Sequence, residues 1–273
     1  MHLNIPWPRL AIISIFFALL AALPAIAQDA GEKRDDDPAK AAAIVARAVG
    51  LLGGNKYLNI RSQVGKGKFS IIRDGSLVSF QSFIDIIIFP DKERTDFKVQ
   101  GSKTVQVNTG DTGWIFDGDL EVIKTQTEGQ VADFKRGIRT SLDGLLRGYW
   151  KGDAELTYSG RRPATLGKRN DVVRLTYKDD FSVEFEFSDD GLPQKSVFKR
   201  TNANGEQITE EDRYAQFIDL DSGIKAPFII DRFTDGKQSS RINFESIEYN
   251  KSISDSIFEK PASVKEAKRD VKY

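Results

Sequence analysis

Thr127–Trp150, TEGQVADFKRGIRTSLDGLLRGYW, is the only long helical pattern between two blocks of strand-like sequence, and its reading decides how the rest of the chain is arranged. Apolar residues recur at Val131, Phe134, Ile138, Leu142, Leu145, Leu146 and Tyr149, which is helical spacing and makes one apolar stripe. Thr127 with Gln130 three residues on has the form of a capping box. Gly129, Gly137, Gly144 and Gly148 weaken this helix, each interior glycine costing roughly 0.5–1 kcal/mol relative to alanine. It therefore needs strands beneath it to persist. Over a curved sheet such a helix is either ordinary core or a movable lid.

Outward from this stretch, both flanks are strands. Phe83–Phe89 is apolar on both faces apart from Asp85, which predicts a strand covered on both sides. Phe181, Val183, Phe185 and Phe187 alternate with polar residues, the mark of a half-buried antiparallel strand. Turn signals at Asp74-Gly75, Asp117-Gly118, Asp190-Gly191, Asn204-Gly205 and Asp235-Gly236 connect the strands by hairpins rather than crossovers. In Ser240–Asn250 the apolar phase shifts, Ile242 and Phe244 falling on one face and Ile247 and Tyr249 on the other, which predicts a bulge or a sharp bend in a strongly curved sheet. Before the strands, Asp37-Pro38 opens a helix through residues 38–52.

The ends read differently. Arg9 precedes the apolar run Leu10–Leu23, and Ala25-Ile26-Ala27 has the form of a signal-peptidase site, so residues 1–27 are expected to be a signal peptide cleaved after Ala27. The run is short for a spanning helix, which needs about 20 residues, so no stable membrane span is expected after cleavage. Residues 28–37 read as a charged linker, 38–261 as one domain, and 262–273 as a flexible tail, frayed or forming a short helix.

Without residues 1–27 the chain holds 39 Lys and Arg against 40 Asp and Glu, a balance that argues against nucleic-acid binding. It also holds no Cys, and its one His and one Met are His2 and Met1. That removes the commonest general base, the Ser-His-Asp and Cys-His nucleophile systems, and zinc sites of the usual kind. Neither a cofactor nor an enzymatic activity is expected. Three short motifs are weak: Ser196-Val-Phe-Lys199 sits in a strand, where its ends point to opposite faces; Asp219-Leu-Asp221 lacks a calcium loop's final Glu; and Gly65-Lys-Gly-Lys68 has no following helix.

Aromatic and aliphatic residues on both sides of several strands point to an apolar hollow on a concave sheet face. The competing account is that the helices fill it. Taken in order, Tyr57–Gln63, Gly110-Asp-Thr-Gly-Trp114, Ser141–Leu146, Asp190-Gly-Leu-Pro193 and Asp255–Pro261 resemble the LolA/LolB-like lipoprotein-carrier family. The resemblance implies a mainly β fold with helices, a curved antiparallel half-barrel of about eleven strands with a helical lid. It also implies a non-enzymatic periplasmic carrier of lipid or of lipoprotein acyl chains, in transient contact with envelope proteins and serving outer-membrane lipoprotein sorting. The alternative is an envelope protein-binding or sensing module with a filled core. Expected ligand contacts are Phe134, Ile138, Leu142, Leu145 and Leu146 from the lid, and Ile86, Ile88 and Trp114 from the sheet. Leu145→Asp is expected to abolish lipid co-purification while leaving the fold largely intact.

Overall fold

Alternating strand sequence broken by Asx-Gly turns builds a long meander, and its order explains the whole architecture. The computed structural model describes residues 37–273 apart from Ala203; the expected signal peptide and, but for Asp37, the expected linker lie outside the described residues. After α1 (Pro38–Leu51), capped by the Asp37 side chain on Lys40 N, and α2 (Asn55–Leu58), six strands follow. They are β1 (Ser62–Arg73), β2 (Ser76–Ile88), β3 (Lys92–Val99), β4 (Ser102–Thr109), β5 (Thr112–Asp117) and β6 (Val122–Thr125). The helices α3 (Glu128–Thr140) and α4 (Leu142–Leu146) lead to β7 (Ala154–Pro163). Then come β8 (Arg169–Tyr177), β9 (Ser182–Phe187), β10 (Pro193–Thr201), β11 (Gln207–Asp219), β12 (Lys225–Thr234) and β13 (Lys237–Tyr249), with α5 (Val264–Ala267) near the C-terminus.

All described strands form one antiparallel sheet in the order β6-β5-β4-β3-β2-β1-β13-β12-β11-β10-β9-β8-β7. The two meanders join where β1 pairs with β13, placing Gln63 opposite Tyr249. The sheet has thirteen strands, not about eleven. The figure of about eleven is what the family resemblance implies, and this chain carries additional short strands such as β6, with four residues. Because β6 and β7 are the two outer edges, the segment between them must cross the whole sheet. Twelve inter-strand steps laid flat would span roughly 58 Å, while the 13 residues of α3 cover only about 20 Å. Curvature brings the edges within reach, and the crossing helices lie over the concave side.

The expected single helix over 127–150 is two helices. The capping box at Thr127 and Gln130 forms as expected, but the backbone is extended at Ser141 (φ −72°, ψ 149°). The Ser141 hydroxyl donates to Ile138 O at 2.9 Å and accepts from Gly144 N at 2.9 Å, ending one helix and starting the next. At Gly144 a Cβ would run into Ile138 O, so the kink itself requires glycine.

Two packed layers sit on opposite faces. On the concave side of β7–β10, α1 and α4 cover Val173, Leu175, Val183, Phe185 and Phe187. The phenylalanine alternation in β9 is therefore present as read, with Glu184 and Glu186 on the other face paired to Arg162, Arg174 and Lys195. On the convex side of β1–β5, the C-terminal segment covers Val64, Ile86, Val105, Val107, Trp114 and Phe116. Residues 262–273 include the short helix α5 and are held to the sheet at several points although most of them are exposed: Ala267 is buried, Lys103 donates to Arg269 O at 2.6 Å, and Lys98 pairs with Asp270 at 2.6 Å. The apolar residues of the tail, invisible as a pattern in so short a segment, supply the missing cover for that face.

Candidate functional site

Between the crossing helices and the concave sheet lies a hollow of about 630 Å3. Its roof is the stripe Phe134, Ile138 and Leu142, four residues apart along the lid. Its floor is Ile242, Phe244, Ile247 and Tyr249 of β13, with Ile87 of β2 and Ile230 of β12. The β13 pattern changes phase, yet all four of its residues reach the hollow. The register against β1 shifts between Lys66 and Gly67, where Ser246 faces Lys66 but Phe244 faces Gly67. Glu245 is the extra residue of this bulge, and it returns Ile242 and Phe244 to the face of Ile247 and Tyr249.

Gly65 and Gly67 make this possible. A Cβ on Gly65 would stand 2.6 Å from the Phe244 ring, and one on Gly67 would run into Asn243 O. The Gly-Lys-Gly-Lys segment is accordingly a strand stripped of side chains on its inner face so that an aromatic ring can lie on its backbone. Phe244 packs edge-on against Phe83 at 5.5 Å between centroids.

The expected contact residues separate into three groups. Phe134, Ile138 and Leu142 line the hollow. Leu145 and Leu146 are 1% and 5% exposed and belong to the core packed on β7–β10, below the roof rather than in it. Ile86, Ile88 and Trp114 do not face the hollow. They belong to the convex layer, where Trp114 Nε1 donates to Phe258 O at 2.9 Å. The strand alternates, so the residues of β2 that do reach the hollow are Asp85 and Ile87. Asp85, the one charged residue in that run, is the sequence signal that could have set the parity. A lone carboxylate belongs on the side where solvent or a ligand reaches.

The walls also carry polar groups. Asp85 accepts from Thr95 Oγ1 at 2.8 Å and lies beside Glu93 of β3. Removal from bulk water raises the affinity of both carboxyls for protons, Asp85 strongly so because Glu93 adds a like charge. Arg232 opposes this from β12 and stands 3.6 Å from Asp212 of β11. Desolvation raises Asp212 too. At the other end, Asp143 of α4 accepts from Tyr57 OH and from Arg147 Nε, each at 2.7 Å. The Arg147 guanidinium, sandwiched between Tyr57 and Phe89, also donates to Ile60 O at 2.9 Å. This cluster fixes α4. By contrast Thr140 is the only buried residue of α3, which is tied by ion pairs of Lys135 with Asp111 and of Arg139 with Asp179.

The weak motifs stay weak. Ser196 is buried against the Tyr214 hydroxyl, at 3.2 Å, while Lys199 is exposed. Asp219–Gly223 is the turn into β12, its Asp219 paired with Lys225 at 3.0 Å. No group of three or more potential metal ligands is present among the described residues, and none of their helices is long and apolar enough to cross a membrane.

These features define a class: an open antiparallel half-barrel whose concave face is roofed by helices over a partly apolar hollow. More narrowly, the fold is LolA-like. A DUF1329 family protein from Desulfovibrio piger superimposes with a TM-score of 0.57 at 15% identity, covering 82% of this chain and 98% of that one. A putative outer membrane lipoprotein-sorting protein domain from Vibrio parahaemolyticus gives 0.53 at 8% identity, covering 81% and 97%. A LolA superfamily protein from Nitrosomonas europaea gives 0.51 at 15% identity, covering 78% and 97%. No protein-family model and no curated protein sequence matches the chain.

Proposed function

We propose that this protein is a non-enzymatic carrier of the cell envelope that encloses an acyl chain between α3 and the concave sheet. The observation that carries this reading is the hollow itself: a space of about 630 Å3 with apolar rows on roof and floor, within the 300–1,000 Å3 typical of small-molecule sites. A filled core, the competing expectation, would leave no such space. The export signal read in residues 1–27 supports a periplasmic location, and the likeness in fold to the Vibrio lipoprotein-sorting domain supports a link to outer-membrane lipoprotein sorting. Binding follows from apolar burial at roughly 25 cal/mol per Å2. Organic extraction of the purified protein followed by mass spectrometry tests the proposal. A co-purifying amphiphile is the expected result, and a protein that neither retains nor takes up any amphiphile refutes it.

A further inference from the structure

The charged groups lining the hollow fall into two sets. Asp133, Asp143, Lys92 and Lys225 line it but are engaged by partners outside its lining: Arg136, Arg147, Asp255 and Asp219 respectively. The others that line it are Asp85, Glu93, Asp212 and the half-exposed Arg232. Arg232 has Asp212 at 3.6 Å. Asp85 and Glu93 have only each other and the Thr95 hydroxyl, and Arg232 influences them from across the hollow. The inner surface thus offers one carboxyl pair with acceptor capacity to spare and one arginine already facing a carboxylate.

Size adds a second constraint. At roughly 30 Å3 per small group, 630 Å3 accommodates about twenty methylene-sized groups. That holds one long chain with a small head within the hollow, and two or three such chains would have to extend beyond it. A head that donates hydrogen bonds satisfies Asp85 and Glu93. An anionic head placed there meets the negative charge that this carboxyl pair retains away from bulk water, where like charges repel most strongly.

We infer, resting on the carrier reading, that the hollow selects single-chain amphiphiles whose head donates hydrogen bonds and carries no negative charge, and that Asp85 and Glu93 are the selecting groups. The test is displacement of the apolar fluorophore N-phenylnaphthylamine from the purified protein near neutral pH. Tetradecylammonium, monomyristoylglycerol, dimyristoylglycerol and myristate serve as competitors. The ammonium and the monoglyceride should displace the probe at concentrations at least about tenfold below that needed for myristate, and the diglyceride should compete no better than the monoglyceride. In the double variant D85N/E93Q, which keeps the side-chain shapes and removes charge from poorly solvated positions, myristate should come within about threefold of the ammonium. Unchanged urea midpoints, or higher ones, for the variant exclude misfolding as the cause. Equal displacement by all four competitors, or an unaltered ranking in D85N/E93Q, overturns the selectivity while the carrier reading stands. A protein that binds neither the probe nor any competitor overturns both.

Discussion

Phe134 and Leu145 lie on the same sequence stripe but do different work. Phe134 is half-buried and lines the hollow, whereas Leu145 is 1% exposed and packed in the core. Leu145→Asp would therefore place a charge in a packed core and disrupt the fold rather than spare it. Even Leu145→Ala should destabilise the protein by about 2–5 kcal/mol, read in urea unfolding. Phe134→Asp should instead leave the urea midpoint nearly unchanged and strip the protein of co-purifying amphiphile, read by mass spectrometry. The carboxyls give a pH signature. Asp85 and Glu93 bind protons more readily in the folded than in the unfolded protein, so stability falls as pH rises above the ordinary carboxylate range. Asp179, held by Arg139 at a pKa of about 2, acts in the opposite sense and loses its contribution as pH falls toward that value. The melting temperature should therefore rise on acidification from neutral toward pH ~5 and fall again in stronger acid. In D85N/E93Q the first rise should shrink, and a profile identical to wild type would contradict the assignment.

Among the elements, α3 buries little and is held largely by ion pairs, Lys135 with Asp111 near its middle and Arg139 with Asp179 at its C-terminal end. Arg139 makes a two-pronged contact to Asp179, at 2.9 and 2.6 Å, and stacks over Tyr177 and Phe181. Arg139→Ala should accelerate hydrogen exchange of the α3 amides while those of β8 and β9 keep their protection. Uniformly increased exchange would mean that the contact supports the whole sheet instead. α4 behaves as core because Arg147 and Tyr57 both hold Asp143. The break between α3 and α4 follows from Ser141 serving both helices, and it lets a loosely held roof adjoin a fixed anchor.

Across the molecule, curvature and cover depend on contacts remote in sequence. The β1–β13 ladder brings Gln63 to Tyr249, and the C-terminal segment caps the convex layer through Trp114 and through the buried Arg94–Asp96–Lys103 group. Arg94 also donates to Ile257 O and Lys103 to Arg269 O. Deleting residues 251–273 leaves buried cations without these acceptors and exposes Trp114. The truncated chain should show red-shifted tryptophan emission and be destabilised by several kcal/mol, on the order of 4 or more. Retained emission and stability would show the segment to be dispensable.

Hairpin order, the Thr127 cap, the β9 alternation and the apolar lid stripe come from interactions between near neighbours and are readable from residue type and spacing alone, whereas the phase change in β13 is visible in the sequence but its bulge is set by pairing with Gly65 and Gly67 of β1. Which side of β2 faces the hollow is not readable, because Phe83–Phe89 is apolar in both phases and alternation fails to mark a face when both faces are covered. Nor is the division of the lid stripe into roof and core. Those assignments depend on pairing between strands nearly the whole chain apart and on a tail that folds back over the convex side. Only assembly of the sheet sets these long-range positions, since no local preference distinguishes one buried face from the other.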